Sequence, residues 1–305
     1  MRFSIDMKKF VAGSNDAGQR LDKYLSKLLS GASMGMIYKW IRKKRVKING
    51  KKQEISYQLQ EGDVLELYIN DEFFDEEKSI PSFLKKSVRL SVVFEDENLL
   101  VADKPSGMAA HGEDDCLLDN IQAYLFQKGE YNPIAEQTFA PSLCNRIDRN
   151  TSGLVIAAKN AAALRIINEK IRNREINKFY LLKVENPERL PCSGRISGYT
   201  LKNEEKRKIY FYENDVKGSK YSETLFKKLD SEGLVEARLL TGRTHQIRAS
   251  FAHLGCPLVG DVKYGAKKNG RRDFQQLRAY RIEFDFKTPS GELEYLGGKV
   301  IEKKE

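Results

Sequence analysis

The chain has 305 residues, enough for one large domain or two smaller ones, and its 40% hydrophobic and 31% charged residues are typical of a globular protein. No apolar run approaches the ~20 residues of a membrane-spanning helix, and the charged first residues lack a signal-peptide core, so we expect a cytoplasmic protein. The formal net charge of +10 favours a polyanionic partner, most commonly nucleic acid.

Cysteine and histidine spacing gives no sign of a metal site or a disulfide framework. The chain has four cysteines and three histidines, none of them in a Cys-x-x-Cys pair or another zinc-ligand pattern. We therefore expect free thiols, no catalytic metal and no cofactor.

Residues 1–70 are predicted to form a small unit of two helices and a hairpin. Apolar residues recur at helical spacing in two stretches, and Ser33 can cap the second helix. The strand at residues 46–48 enters the turn signal Asn49-Gly50, and a later strand is predicted at residues 64–69. The inward helix faces comprise Leu21, Tyr24, Leu25, Leu28 and Leu29, then Ile37, Trp40 and Ile41.

The second helix and the following turn carry a run of cations without an acid. A solvated helix face is one explanation, and contact with RNA phosphates is the other. Residues 20–25, 36–42 and 46–50 resemble the S4-type RNA-binding domain, which favours the second. The cations predicted to bind RNA are Lys39, Arg42, Lys43, Lys44, Arg45 and Lys47, and the run continues to Lys51 and Lys52.

Residues 71–88 are predicted to be an acidic linker. They contain Asp71-Glu72, Asp75-Glu76-Glu77 and Pro81, and they lack a hydrophobic period. They separate two basic regions, because residues 1–70 and residues 101–305 each have a net charge of +7.

Strands dominate residues 89–305, which we predict to be the second domain. We expect strands at residues 90–94, 99–102, 154–158, 179–184 and 234–240, with helices after Asn160 and around residues 247–254. Strands follow one another too often for regular βαβ winding. The predicted class is therefore α+β, with a mixed, mainly antiparallel sheet and flanking helices.

The loop at residues 145–153 places one carboxylate among cations. Asp148 lies between Arg146 and Arg149, and the two guanidinium groups favour its ionised form. From these residues alone, Asp148 is either a structural ion-pair partner or a catalytic carboxylate.

Two further segments place polar side chains near strand ends. Tyr180, in Lys-Phe-Tyr at residues 178–180, either stacks on a nucleic acid base or packs in the core. Arg248 is predicted to lie on a helix that begins at about Thr244, beside apolar side chains. An arginine in that setting needs a carboxylate partner, and Asp148 is the candidate.

Four sequence blocks occur in the order found in the RluA-type pseudouridine synthases. Residues 146–154 (Arg-Ile-Asp-Arg-Asn-Thr-Ser-Gly-Leu) resemble the family signature, and residues 104–107, 178–180 and 241–248 resemble its other blocks. With the S4-type segment in front, the chain is similar to the RluC/RluD branch, which modifies large-subunit ribosomal RNA. The resemblance implies an isomerase that detaches uracil from its ribose, turns it and rejoins it through carbon-5.

The resemblance also implies roles for individual residues. Asp148 matches the catalytic aspartate, and Arg248 matches the basic residue paired with it. Tyr180 matches the tyrosine that stacks on the target base and assists proton removal at carbon-5. Arg146 matches the arginine that replaces the flipped nucleotide. The other residues expected to contact substrate or RNA are Arg149, Arg243 and Leu277.

Three positions depart from the family pattern and bear on substrate preference rather than on activity. Asn145 stands where the family usually has His, Ile147 replaces Leu, and Arg278 replaces His in the last block. The alternatives are a transfer RNA pseudouridine synthase, a non-catalytic RNA-binding or ribosome-assembly factor, and an N-glycosylase or other hydrolase that uses Asp148 with water. We expect an RNA partner, no membrane partner and a monomer.

Overall fold

The computed structural model describes residues 7–29, 31–74, 79–268 and 274–304. The described chain packs as two units: one takes in residues up to Val88 with Ile121–Ser142 and Lys159–Ala162, and the other holds the rest. Residues 1–6 and 75–77, which carried the signal-peptide argument and part of the acidic strip, lie outside the described residues. No helix in the described ranges is long and apolar enough to cross a bilayer.

The first part of the chain forms two helices and a three-stranded sheet, and its helix faces are the predicted ones. Leu21, Tyr24 and Leu25 are fully buried on the first helix, and Ser33 accepts the Met36 N–H at 3.4 Å as the cap of the second. The elements are β1 (Lys8–Val11), α1 (Leu21–Leu28), α2 (Met34–Arg42), β2 (Val46–Ile48) and β3 (Val64–Leu67).

The Asn49-Gly50 turn forms, but the partner of β2 is the later strand β3. Asn49 and Gly50 have φ angles of 52° and 74°, as a type I′ turn requires. The Asn49 side chain donates to Asp63 at 2.8 Å and accepts the Val64 N–H at 2.9 Å, so it ties the turn to the start of β3. The sheet order is β1-β3-β2.

Part of the predicted linker packs against this first unit. Short 3-10 turns occur at Asp71–Phe73 and Ser82–Lys85, and the Phe73 ring contacts Trp40 edge-on, with ring centroids 5.0 Å apart. Residues 121–142 also belong to the first unit. The domain boundaries of 1–70, 71–88 and 89–305 therefore stay a prediction from sequence.

The rest of the described chain forms an eleven-stranded sheet with helices. Neighbouring strands other than β6 are antiparallel, with the exception of β7 and β13, which are parallel. Its path is β10-β9-β11-β12-β8-β13-β7-β5-β4, with β14 on β13 and β6 on β7. The elements are β4 (Val92–Glu95), β5 (Leu99–Lys104), α3 (Leu117–Gln127), β6 (Ser142–Leu143), β7 (Ser152–Ala158), α4 (Ala161–Arg172), β8 (Ile176–Lys183), β9 (Ser193–Asn203), β10 (Lys208–Tyr212), β11 (Lys220–Lys228), β12 (Leu234–Leu239), α5 (Gln246–His253), β13 (Leu277–Phe284) and β14 (Val300–Glu302).

This mixed, mainly antiparallel sheet confirms the predicted α+β class. Residues 99–102 of β5 and 154–158 of β7 are continuous apolar runs whose side chains are buried on both faces of the sheet. The main core cluster combines residues such as Leu99, Ile156 and Phe284 with Ile167 of α4. β7 is thus a rigid base for the loop that precedes it.

Gly153 sets the closest backbone approach between β7 and β13. It lies opposite Ala279 in the parallel pair, and its φ is +113°. A Cβ atom at Gly153 would lie 2.0 Å from the Ala279 carbonyl oxygen. Only glycine fits there, so this contact fixes where the preceding loop leaves the sheet.

We expect Gly153→Ala to lower the free energy of unfolding by about 3 kcal/mol or more, because it adds both backbone strain and a clash. Urea unfolding measures the loss. Gly242→Ala is the matched control, since a Cβ atom there has nothing within 4 Å and no positive φ to oppose it. Equal stability of the two variants would contradict the close approach.

Candidate active site

A cavity of about 450 Å³ collects the polar segments of the second unit. Its wall is formed by the loop before β7, by β8, by the segment between β12 and α5, by α5 and by β13. It brings together seven of the residues singled out from the sequence: Asp148, Tyr180, Arg248, Arg146, Arg149, Arg243 and Leu277.

Hydrogen bonds within the loop hold Asp148 in place. Its backbone carbonyl accepts the Thr151 N–H at 3.0 Å, which closes a turn around the signature residues. The Asn145 side chain accepts the Ile156 N–H of β7 at 2.8 Å. Asn145, which stands where the family usually has His, therefore anchors the loop to the sheet.

Lys104, from the Lys-Pro-Ser-Gly block, also holds this loop in place. Its side chain is fully buried, and its ammonium donates to the carbonyls of Pro105 at 2.9 Å, Met108 at 2.8 Å and Arg149 at 2.8 Å. Burial lowers the pKa of Lys104 to about 8. The three carbonyl oxygens compensate the buried ammonium, so it acts as a backbone clamp between two segments of the cavity wall.

The predicted partnership of Arg248 with Asp148 is present, and a second carboxylate joins it. Arg248 Nη1 donates to Asp148 Oδ2 at 3.1 Å, while Nε and Nη2 donate to the two Asp261 oxygens at 2.7 and 2.9 Å. Asp261 is 2% exposed. The bidentate pair fixes the plane of the guanidinium, which leaves one edge for Asp148.

The environment of Arg248 keeps it cationic. Burial by itself would lower the pKa of Arg248, but the hydrogen bonds and charges of Asp261 and Asp148 outweigh it and raise the pKa. The guanidinium carbon also lies 4.9 Å from the centroid of the Tyr264 ring. Asp148 thus has a permanent positive partner.

The helix that carries Arg248 begins at Gln246 rather than at the predicted Thr244. His245 adopts a left-handed backbone with φ 52°, which interrupts any helix before it. The side-chain oxygen Oε1 of Gln246 accepts from the Thr241 hydroxyl at 2.8 Å and from the Arg243 backbone N–H at 3.0 Å. This side chain therefore completes the turn that precedes α5.

His245 lies next to the carboxylate, and its other nitrogen contacts Tyr264. Nε2 is 3.7 Å from Asp148 Oδ2, and Nδ1 is 2.8 Å from the Tyr264 hydroxyl. That hydroxyl also accepts the Ile209 N–H at 3.0 Å, so the His245 ring is oriented by a group that is itself hydrogen-bonded to β10. Burial lowers the pKa of His245, which favours the neutral ring.

Tyr180 forms part of the cavity floor on β8. Its side chain is 6% exposed, and it shares one face of the strand with Lys178 because strand residues alternate. Burial, with the charge of Asp148, raises the pKa of Tyr180. The hydroxyl therefore keeps its proton at neutral pH.

The three predicted arginines at the cavity are arranged along its wall, and each has a partner. Arg146 contacts His111 at 3.2 Å, Arg243 Nε donates to the Tyr221 carbonyl at 2.9 Å, and Arg149 forms an ion pair with Glu113. Arg146, Arg149 and Arg243 are exposed.

The predicted RNA-binding cations of the first unit lie outside this cavity. Five of the six (Lys39, Arg42, Lys43, Lys44 and Arg45) are exposed, while Lys47 is half-buried with its ammonium 5.1 Å from the Tyr68 ring centroid. In the described ranges none of the six is paired with a carboxylate. They form a basic face on α2, on the turn after it and on β2.

Sequence reasoning missed Asp261 and His245. Asp261 lies 13 residues beyond Arg248. The sequence indicated it only indirectly, because a guanidinium has more N–H donors than one carboxylate can pair. His245 lies within the sequence block at residues 241–248, but no role was predicted for it. Arg278, the third departure from the family pattern, pairs with Asp103 at 3.0 Å and is not among the residues that line the cavity.

We expect Arg248→Met to lower the free energy of unfolding by about 3–5 kcal/mol, because it leaves Asp261 buried and unpaired. The matched control is Glu113→Gln, which removes an ion pair with both side chains about half exposed and should cost about 1 kcal/mol or less. Urea unfolding compares them. Equal costs would show that Asp261 does not depend on the guanidinium.

Comparison with known proteins identifies the two parts of the chain. Residues 98–253 match the family model described as RNA pseudouridylate synthase, and residues 19–65 match the S4 domain. The fold of this chain is similar to those of two human proteins. RNA Pseudouridylate Synthase Domain Containing 4 matches with a TM-score of 0.55 and 21% identity over 70% of this chain and 88% of that one. RNA Pseudouridylate Synthase Domain Containing 1 matches with a TM-score of 0.52 and 22% identity over 74% of this chain and 94% of that one.

Two curated relatives cover most of the chain. A protein of Mycoplasma capricolum named Uncharacterized RNA pseudouridine synthase is 34% identical over 97% of both chains. Ribosomal large subunit pseudouridine synthase C of Vibrio parahaemolyticus is 31% identical over 90% of this chain and 87% of its own. The resemblance predicted from four sequence blocks is confirmed, and this chain belongs to the RNA pseudouridylate synthase family of isomerases, with an S4 domain in its amino-terminal part.

Proposed function

We propose that the chain converts specific uridines of large-subunit ribosomal RNA to pseudouridine, acting as a monomer in the cytoplasm. The observation that carries the chemistry is the Asp148 carboxylate, held 3.1 Å from Arg248 on the wall of a cavity of about 450 Å³. The ribosomal target is supported by relatives named ribosomal large subunit pseudouridine synthase C.

We assign Asp148 to act at the anomeric carbon of the sugar, where the bond to uracil is broken and re-formed. Arg248 engages Oδ2, and Oδ1 has no hydrogen-bond partner among the described residues. A carboxylate at the anomeric carbon either bonds to it or stabilises its positive charge, as in retaining glycosidases. One carboxylate suffices because uracil leaves as a stabilised anion and needs no acid to protonate it.

Tyr180 and Leu277 are assigned to holding the base. Both are buried side chains on the cavity wall, and an aromatic ring there provides a stacking surface for uracil. The resemblance also assigns Tyr180 to assist removal of the carbon-5 proton. Burial raises the pKa of Tyr180, so its hydroxyl is protonated before substrate enters the cavity.

The exposed cations are assigned to the RNA backbone. Arg146 belongs to the catalytic loop and lines the cavity, where its side chain can take the position of an extruded nucleotide. Arg149 and Arg243 extend the positive charge along the cavity wall, and the basic face of α2 supplies phosphate contacts for the S4 unit.

Three alternatives make different products. A transfer RNA synthase leaves ribosomal RNA unmodified, a non-catalytic binder modifies nothing, and an N-glycosylase or hydrolase releases uracil into solution. Pseudouridine mapping of all cellular RNA, in cells with and without the gene, separates the first two from the proposal. Chromatography of free uracil from the purified protein with RNA separates the third.

We expect Asp148→Asn to abolish pseudouridine formation while the protein still folds and binds RNA, because the amide keeps the side-chain shape but is neither nucleophilic nor charged. Mass spectrometry of ribosomal RNA incubated with the purified variant measures the product. Asp103→Asn serves as the control carboxylate, because Asp103 pairs with Arg278 and does not line the cavity. Substantial turnover by a folded Asp148→Asn variant would contradict the assignment.

The basic face is tested by charge removal rather than by deletion, because residues 121–142 pack with the first unit. Thr138 donates to Asp16 at 2.6 Å and Tyr24 hydrogen-bonds to Gln137. Removal of the amino-terminal segment would break these hydrogen bonds, so its effect on RNA binding could not be separated from its effect on the fold.

Replacement of Lys39 and Lys43 by Gln should weaken RNA binding and flatten its salt dependence by ~0.7–0.9 in the log–log slope for each lost phosphate contact. Replacement of Lys287 and Lys304 by Gln is the matched control. It removes the same net charge, but from lysines that are already paired with Asp285 and Glu302. Filter binding across a salt series compares the pairs. If both double variants behave alike, only net charge matters and the basic face is a solvated surface.

A further inference from the structure

Lys178 differs from the arginines around it on the cavity wall. Each of those arginines already has a partner. Arg248 is paired with Asp148 and Asp261, and Arg149 is paired with Glu113. Arg146 contacts His111, and Arg243 donates to the Tyr221 carbonyl. Within the described part of the chain, the Lys178 ammonium has neither a hydrogen bond nor an ion pair. It lines the cavity all the same.

The position of Lys178 on the sheet explains why it lacks a counter-ion. It lies on β8 between Leu239 of β12 and Ile282 of β13, so both cross-strand neighbours are apolar. Its side chain is half-buried, and burial lowers the pKa of Lys178 without a contribution from a neighbouring charge. A cation held in such a place is costly unless an anion arrives to pair with it.

We propose that Lys178 is a catalytic residue that stabilises the detached uracil anion by donating hydrogen bonds to its carbonyl oxygens. The proposal rests on the function proposed above. Lys178 is two residues from Tyr180 on one face of β8, so a uracil stacked on the Tyr180 ring has its edge within reach of that face.

The step balances without proton transfer from Lys178. The bond between uracil N1 and the sugar carbon breaks with its electron pair left on the ring, and Asp148 takes up the electron deficiency at the sugar. The ring charge spreads over O2, O4 and carbon-5. Carbon-5 then gives the electron pair of the new bond to the same sugar carbon, which frees the Asp148 carboxylate. Carbon-5 afterwards loses its proton to water and N1 takes up a proton from water, so the product is an isomer of uridine. Lys178 stays protonated and stabilises the charge between bond breaking and bond making.

The surroundings favour the base rather than a backbone phosphate as the anion. Phosphates stay hydrated and bind at exposed cations, and Arg146, Arg149 and Arg243 are the exposed cations of this cavity. Lys178 instead has apolar strand neighbours beside the stacking ring. A partly desolvated ammonium gains most from an anion that is itself inserted into the cavity.

Lys178→Met, which keeps the length and removes the charge, is expected to slow single-turnover pseudouridine formation at saturating RNA by about 100-fold or more. RNA affinity and its salt dependence should stay unchanged. The melting temperature should stay equal or rise, because an unpaired cation is replaced by an apolar side chain. Lys183→Met on the same strand, where Lys183 is 42% exposed and lies 3.8 Å from Glu232, should retain the normal rate.

RNA with 5-fluorouridine at the target position supplies a second measurement, because fluorine stabilises the ring anion by itself. The rate at which the target nucleoside is consumed should then differ less between Lys178→Met and the unaltered protein than it does with uridine. A normal rate for Lys178→Met, or an equal defect on both substrates, overturns the proposal. Weaker RNA binding with a shallower salt slope and a normal saturated rate would overturn it in favour of a phosphate contact. If the unaltered protein makes no pseudouridine in any RNA, the proposed function has failed instead.

Discussion

The guanidinium of Arg248 joins three separate segments of the second unit, and the position of the Asp148 carboxylate depends on it. Asp261 fixes the plane of the guanidinium by two hydrogen bonds, and the remaining donor edge meets Asp148 at 3.1 Å. A bidentate pair of this kind has one geometry, whereas a lysine would allow several. The direction of the Asp148 side chain is therefore set by a residue that is itself held elsewhere.

Backbone contacts fix the position of the loop that carries Asp148, as Arg248 fixes the direction of the Asp148 side chain. Gly153 permits the close parallel pairing with Ala279, Asn145 ties the loop to β7, and Lys104 holds the Arg149 carbonyl. Each contact removes freedom from the backbone before substrate is present. Preorganisation of this kind lowers the cost of positioning a reacting group, because little rearrangement is left for the reaction itself.

Features with a local physical cause were predictable from the sequence. The buried faces of α1 and α2 follow from helical spacing, and the Asp148–Arg248 pair follows from a lone carboxylate and an arginine beside an apolar face. The start of α5 was misplaced because the left-handed backbone of His245 is held by side-chain contacts with distant residues. Asp261 and the pairing of β2 with β3 depend likewise on contacts across the fold, which no local window contains.

The division of charge in the cavity bears on why a single carboxylate serves this chemistry. Asp148, Arg248 and Asp261 form one pole, where we propose that the sugar binds, and two carboxylates with one guanidinium leave it negative. Lys178 lines the same cavity and has no ion pair among the described residues, so it is uncompensated until an anion enters. Heterolysis of a bond placed between these poles puts positive character beside the carboxylate and negative character beside the ammonium. The field that stabilises the separated charges therefore exists before the bond breaks, and it favours retention of the uracil anion in the cavity until carbon-5 can bond to the sugar.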